Sequence, residues 1–335
     1  MNRACGRSDD PCLTAGSSDG RRPAGNVCCT DVLRVRRALL VSGLLAASLG
    51  AWRAHAIIGG APDLEPADSP ERRVDPNSSS SPWSGVGSLT VLRAETGEPQ
   101  GTYTASAIDV LHIVTAAHVV HRKSPEQILF NLNVGGDFTH RIAASEVHVH
   151  PDYAGFRADQ RTGFVHDDLA IVRLASPLPF GVTLYRIYPQ PLPPRTVITL
   201  VGYGASGDGI NGITTPGHPS VKRVGRNVLD RVVRDNGGRG VFEIYLFDFD
   251  GPDVTSNRIG GLTLGNDVEA TLAGGDSGSP ALVPGPQGAW WIAGVNTFVA
   301  PQGAGQSRFG SIGGGALLYS YLPWIESILK GSVVP

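Results

Sequence analysis

Cysteine is scarce in this 335-residue chain: there are four, Cys5, Cys12, Cys28 and Cys29, all within the first thirty residues. Residues 57–335 contain none, so no disulfide can crosslink a domain formed by them. A segment of this length buries enough apolar surface to fold without crosslinks. The absence of cysteine therefore excludes a small disulfide-stabilised domain, but it is compatible with an ordinary globular domain.

The chain also lacks an excess of positive charge. It has 28 basic and 30 acidic residues, and a formal net charge of -2. Eight arginines and four aspartates lie in residues 1–56, which leaves 20 basic and 26 acidic residues, a net charge of about -6, in residues 57–335. The lysines and arginines after residue 60 are scattered, so no basic patch predicts a nucleic-acid partner.

Long apolar runs are missing as well. The longest, residues 38–51, has 14 residues, whereas a transmembrane helix needs about 20. Arg34, Arg36 and Arg37 precede this run, and the tripeptide Ala-His-Ala at residues 54–56 follows it. A basic segment, a short apolar run and a small-x-small tripeptide are typical of a signal peptide. Residues 34–56 are therefore predicted to be removed on export, leaving a secreted or periplasmic protein without a membrane segment.

Residues 1–33 fit no part of an export signal. They are polar, rich in Gly, Ser and Asp, and show no apolar period. We expect them to be disordered or to result from an over-extended translation start, with initiation near residues 32–35. The Arg36-Arg37 pair resembles a twin-arginine export signal, although an ordinary basic segment is the preferred interpretation.

Glycine and proline are abundant, with 44 and 25 residues, which favours many turns and few long helices. Short apolar runs bounded by turn residues recur after residue 84 and predict strands. These runs cover residues 85–92, 107–114, 170–174, 197–201, 241–246, 289–293 and 316–319. A helical period begins at Leu322, and a proline cluster at residues 189–194 divides the strands into two halves. The pattern predicts an all-β protein with two antiparallel barrels or sheets and a C-terminal helix.

Three segments carry residues suited to acyl transfer. His118 follows one apolar strand, Asp168 precedes another, and Ser277 lies in a glycine-rich turn at residues 274–280. A serine hydroxyl is a weak nucleophile until a positioned base accepts its proton. Histidine is the natural base, and a buried carboxylate fixes its tautomer and stabilises the imidazolium. Glycines in such a turn expose backbone amides for an oxyanion, and Gly275 and Ser277 would supply the two donors.

Several neighbouring residues offer alternatives. Asp167 competes with Asp168 as the carboxylate, and His121 follows His118 by three residues. His148 and His150 have a His-x-His spacing, but no third ligand is apparent, so no metal site is predicted. Three further aspartates match no full calcium ligand set and are interpreted as an acidic, solvated loop. These are Asp248, Asp250 and Asp253.

Six segments together resemble the chymotrypsin/trypsin-like serine proteases, in the family's order, over residues 57 to about 330. They are Thr115-Ala-Ala-His118, Val149-His150-Pro151-Asp-Tyr153, Asp168-Leu-Ala-Ile, Val201-Gly-Tyr-Gly204, Gly275-Asp-Ser-Gly-Ser-Pro280 and Tyr321-Leu-Pro-Trp324-Ile325. The resemblance implies a serine protease domain over residues 57–335 with two six-stranded β-barrels, at about 83–188 and 195–320, and a helix at about 322–330. It also matches His118, Asp168 and Ser277 to the family's catalytic triad. Asp168 rather than Asp167 is in the position of the triad carboxylate.

The implied function is that of a secreted serine endopeptidase that cleaves proteins or peptides. No cofactor is implied, and a monomer is expected. Because the family's disulfides are absent, a bacterial member is favoured. The alternatives are a secreted binding protein that retains the protease fold without catalysis, and an esterase that uses the same triad.

The resemblance also implies an activation step. In this family a new N-terminal amine pairs with the Asp before the nucleophile, and the matching residues are Ile57 and Asp276. The predicted cut after Ala56 would make Ile57 the first residue, so export itself would produce the activating terminus. The alternative is that Ile57 ends a longer signal region and the chain is trimmed elsewhere.

The substrate pocket can be assigned by the same resemblance. Its base matches Thr271, its second floor position matches Gly313, and its wall matches residues 297–299 (Thr297, Phe298 and Val299). Thr271 is neutral, which favours an uncharged P1 residue over Arg or Lys. Asp267 and Glu269 are close in sequence, so an acidic pocket remains an alternative at this point.

Overall fold

The computed structural model describes residues 57–59, 73–300 and 307–331, and the predicted extension and signal peptide lie outside these residues. The described strands are β1 Ile58–Gly59, β2 Val86–Leu92, β3 Pro99–Ala107, β4 His112–Thr115, β5 Ile128–Leu132, β6 His140–Val149, β7 Ala170–Leu174, β8 Arg186–Ile187, β9 Val197–Gly202, β10 Ser206–Asp208, β11 Gly212–Thr215, β12 Arg223–Val228, β13 Arg231–Arg234, β14 Phe242–Asp248, β15 Ala270–Thr271, β16 Pro280–Pro284, β17 Trp290–Ala300 and β18 Ile312–Leu317. The α-helices are α1 Ala117–Val120 and α2 Leu322–Gly331.

The first half of the described chain closes into a six-stranded antiparallel barrel in the order β2-β3-β4-β7-β6-β5. Its interior is filled by fully buried apolar side chains such as Leu89, Ile113, Phe130 and Ile171. Burying one such side chain contributes about 1.5–3 kcal/mol. Because β-branched and aromatic residues pack well on a pleated surface, these short runs form strands without disulfides.

The second half forms an eight-stranded sheet rather than a second barrel of six strands. Its main path is β12-β9-β16-β17-β18-β14-β13, and β8 pairs with β17 at the side. A second apolar core lies against this sheet and includes Leu200, Tyr245, Phe247 and Leu272. A separate four-stranded sheet, β11-β10-β1-β15, holds residues 58–59 against the second half.

The all-β fold with a closed six-stranded barrel and a C-terminal helix is confirmed, although some boundaries differ. The run at residues 107–114 spans the end of β3, a turn and most of β4. The strand predicted at 316–319 begins earlier, at Ile312, and residues 318–321 form a 3₁₀ helix. No helix within the described ranges is long and apolar enough to cross a membrane.

Candidate active site

Strand pairing brings His118 and Asp168 together. β4 and β7 are antiparallel, with Thr115 opposite Ala170, so the residue after one strand lies beside the residue before the other. His118 Nδ1 is 2.7 Å from Asp168 Oδ2, and the His118 backbone N–H donates to Asp168 Oδ1 at 2.8 Å. Asp168 is 1% exposed. A buried carboxylate that accepts both bonds fixes the orientation of the imidazole.

Ser277 lies in the turn between β15 and β16, and its position depends on contacts with both halves of the chain. Its carbonyl accepts a bond from the Thr104 N–H of the first barrel at 3.1 Å. The next residue, Gly278, donates to the Asn296 carbonyl at 2.8 Å. The Ser277 and His118 side chains line one pocket, without a hydrogen bond between them in this structure.

The same turn presents two backbone amides without partners. Neither the Gly275 nor the Ser277 N–H donates a hydrogen bond within the part of the chain that the structure describes. Their neighbour Asp276 donates its N–H to the Ala273 carbonyl at 3.1 Å. Gly275 has φ +99°, a left-handed conformation that a side chain would strain. Backbone N–H groups exposed in one tight turn can stabilise an anionic oxygen.

Thr104 holds this turn from the first barrel, and the sequence motifs do not reveal it. Its hydroxyl donates to the Gly275 carbonyl at 3.0 Å and accepts from the Tyr203 N–H at 3.2 Å. Thr104 is fully buried in β3. A single threonine in a polar strand carries no local signal of this role.

A pocket of about 170 Å³ opens beside His118 and Ser277. Its walls include Leu272, Ala273 and residues 297–299, and Phe156 covers the approach. The Phe156 ring lies 4.8 Å from the His118 ring and is 61% exposed. The lining beside the nucleophile is therefore mainly apolar.

The residues assigned to the base of the pocket lie elsewhere. Thr271 is fully buried in β15, opposite Ile58, and does not line the pocket. Gly313 is packed against Phe247, where an added Cβ would lie 2.5 Å from the ring. Residues 297–299, in contrast, do line the pocket.

The acidic-pocket alternative receives no support from the geometry. Asp267 is exposed and lines a different cavity, and Glu269 is buried away from the pocket. Glu269 belongs to a group of four carboxylates in the second half, here called the acidic cluster: Asp230, Asp248, Asp250 and Glu269. The solvated-loop prediction is wrong for Asp248 and Asp250, which are 2% and 4% exposed. Asp248 ends β14, where its carbonyl accepts a bond from Asn227 of β12, and the Asp250 N–H donates to Glu269.

Burial dominates the electrostatics of the acidic cluster. It raises the pKa of Asp250 to about 6 and that of Glu269 to about 7. The pKa of Asp230 rises to about 8, again mainly through burial and with a contribution from neighbouring Asp248. Asp253 differs, since it is exposed and accepts the Thr255 N–H at 2.9 Å as a helix cap.

Ile57 and Asp276, the residues predicted to form the activating ion pair, are both buried. Ile57 is 0% exposed, and its carbonyl accepts a bond from the Ser206 hydroxyl at 2.7 Å. The Asp276 carboxylate accepts the N–H groups of Ala273 at 3.0 Å and Gly204 at 3.4 Å. Burial raises the pKa of Asp276 well above its usual value.

Asp167 faces away from the pocket, unlike its neighbour Asp168. Its N–H donates to Glu243 Oε1 at 3.0 Å, and its Oδ1 lies 3.4 Å from His150 Nδ1. Glu243 also accepts the Tyr321 hydroxyl at 2.5 Å, which links this region to the 3₁₀ helix that precedes α2. Asp168 therefore contacts His118, whereas Asp167 contacts Glu243 and His150.

Comparison with known proteins agrees with this geometry. The family model described as Trypsin matches residues 75–325, more than half of the chain. No match was found among curated proteins. The chain therefore belongs to the trypsin family of serine proteases.

Proposed function

We propose that the protein is a secreted serine endopeptidase that cleaves peptide bonds through an acyl-enzyme. The observation that carries this proposal is the buried Asp168 bonded to His118, with His118 and Ser277 on one pocket. The Gly275 and Ser277 amides, which have no partner among the described residues, would add the electrostatic element that acyl transfer needs. A protein kept only for binding would have no requirement for this combination.

In the proposed mechanism Ser277 attacks the scissile carbonyl carbon while His118 accepts the hydroxyl proton. The carbonyl oxygen becomes an oxyanion that the Gly275 and Ser277 amides stabilise. His118 then returns the proton to the leaving amine, and Asp168 stabilises the imidazolium throughout. Water repeats the sequence to release the acyl group. The Ser277–His118 hydrogen bond is proposed to form as the substrate binds.

The pocket favours an uncharged P1 side chain of medium size. An apolar cavity of about 150 Å³ holds one benzene molecule, and this pocket measures about 170 Å³. Among the described residues, His118 and the buried Asp276 are the only ionisable ones on its lining. A panel of fluorogenic peptides with Ala, Leu, Phe, Arg or Asp at P1 tests the preference. Leu or Phe should give the highest kcat/KM, and an Arg preference would contradict this assignment.

Export is proposed to activate the enzyme. Cleavage after Ala56 would give Ile57 a charged amine, and Asp276 has a buried carboxylate able to pair with it. The pair would stabilise the turn that carries the oxyanion amides. N-terminal sequencing of the secreted protein should begin at Ile57, and any other start removes this idea. A chain with one extra residue before Ile57 should fold but lose activity.

A fluorophosphonate probe tests the nucleophile directly. The secreted protein should be labelled at Ser277, and Ser277→Ala should abolish labelling. Ser124→Ala, which changes an exposed serine outside the turn, is the matched control and should label like the parent. Absence of labelling in folded protein that begins at Ile57 would favour the non-catalytic binding protein. Labelling with ester turnover but no peptide turnover would favour an esterase.

A further inference from the structure

A second cluster of ligating side chains lies outside the triad and includes Asp167, the sequence neighbour of Asp168. His150, Asp152 and Asp167 each point one ligand atom to a common region, and these atoms all lie within 4.8 Å of one another. We propose that this set binds a divalent cation of the zinc type. The inference concerns binding alone and does not depend on the proposed peptidase activity.

Two of the three ligand atoms are buried without hydrogen-bond partners. His150 is 6% exposed and Asp167 is 4% exposed. Within the described residues, His150 Nδ1 and Asp167 Oδ1 make no hydrogen bond, although they face each other at 3.4 Å. Buried polar atoms normally have a well-formed hydrogen bond, and a cation bound between this nitrogen and this carboxylate oxygen would satisfy both.

The separation of the two buried atoms suits a tetrahedral ion. Zinc bonds of about 2.0–2.1 Å to nitrogen and oxygen place neighbouring ligand atoms about 3.3 Å apart. The observed 3.4 Å matches this spacing, while it is long for a charge-assisted hydrogen bond. One imidazole and two carboxylates form a donor set that suits zinc or manganese better than calcium, which takes oxygen ligands.

The surroundings hold the histidine in the required orientation. The His150 ring packs edge-on against Tyr321 and Trp324, with both ring centroids at 5.0 Å. Its backbone N–H donates to the Leu169 carbonyl at 2.9 Å, which ties the turn to the strand after Asp168. The cation would bond to the Nδ1 lone pair, so the ring would carry its proton on Nε2.

Asp152 gives the site access from solvent, because this third ligand is exposed while the other two are buried. Arg239 is the local competitor, since its Nη2 lies 3.9 Å from Asp167 Oδ1. Its side chain is 45% exposed and can turn outward when a cation binds. His148, the other member of the His-x-His pair, points away and contacts Glu146 Oε2 at 3.1 Å.

Calorimetric titration of zinc chloride into the secreted protein carrying Ser277→Ala tests the site without autolysis. We expect one zinc per chain, and calcium should not replace it. Asp152→Ala, at an exposed position, should weaken zinc binding about tenfold or more, since even indirect partners of a metal ligand matter by 10–100-fold. Arg239→Gln should tighten binding, because it removes the competing cation.

His148→Ala is the matched control and should bind zinc within about twofold of the parent. Cobalt in place of zinc should give the visible absorption of a tetrahedral site, and Asp152→Ala should reduce it. Zinc should also raise the Tm of the parent more than that of Asp152→Ala. Equal zinc affinity of the parent and Asp152→Ala, loss of binding in His148→Ala, or no saturable binding would each overturn the proposal.

Discussion

Raising the pH from about 4.5 to 7 should destabilise the folded protein, because Glu269 is a buried carboxyl whose pKa is raised to about 7. Burial is the largest cause, and the charge of Asp250 adds to it. The N–H groups of Leu264 and Asp250 donate to the carboxylate at 2.7 and 2.8 Å and offset part of the increase. Glu269 is 1% exposed, so solvent screens little of this effect.

The sign and magnitude follow from proton linkage. Between the unfolded pKa of 4.5 and the folded value of about 7, the folded state binds more protons than the unfolded state. The free energy of unfolding therefore falls as pH rises through this window. Each pKa unit corresponds to about 1.4 kcal/mol, so Glu269 alone should remove about 3 kcal/mol by pH 7.

Urea denaturation at several pH values between 4 and 8, in the Ser277→Ala background, measures this loss. Glu269→Gln cannot titrate, so its unfolding free energy should fall about 3 kcal/mol less than that of the parent over the same range. At low pH the carboxyl of the parent is protonated and neutral like the amide, so the two proteins should differ least in stability there. Glu326→Gln, at an exposed site on α2, is the control. A parallel pH dependence in the parent and Glu269→Gln would refute the argument.

Three further predictions concern the active site. Asp168→Asn should keep the fold but lower kcat about 10⁴-fold, because His118 loses the carboxylate that fixes its tautomer. Circular dichroism checks the fold and peptide hydrolysis assays measure kcat, and a tenfold loss of kcat or less would contradict the prediction. Gly278→Ala should lower both the Tm and the activity. An added Cβ would lie 2.1 Å from the Thr115 hydroxyl oxygen, and the φ of +86° at Gly278 would strain a residue with a side chain by about 1–3 kcal/mol. An unchanged melting curve would contradict this prediction. Phe156→Ala should leave the Tm unchanged and raise KM for peptides more than it lowers kcat, because the ring covers the pocket from an exposed position; an unchanged KM would exclude that role.

The order of the chemical motifs and the all-β character could be predicted from the sequence alone. β2, β7 and β9 are largely buried, and their sequences are rich in apolar residues that stand out from the turns. The sequence does not reveal most of β18 because its residues 313–315 are three glycines, which carry no apolar signal. Those glycines form a strand because neighbours such as Phe247 and Phe298 fill the space beside them.

Only the tertiary structure decided which of the motif residues meet, and the physical reason is that these contacts cross between distant segments. Antiparallel pairing of β4 with β7 brings Asp168 to His118, whereas its neighbour Asp167 turns to Glu243 and His150. Thr104 acts on a turn more than 170 residues further along the chain, so no local pattern could reveal it. The shape of the pocket likewise depends on side chains from several segments, and their packing excludes Thr271 from its lining.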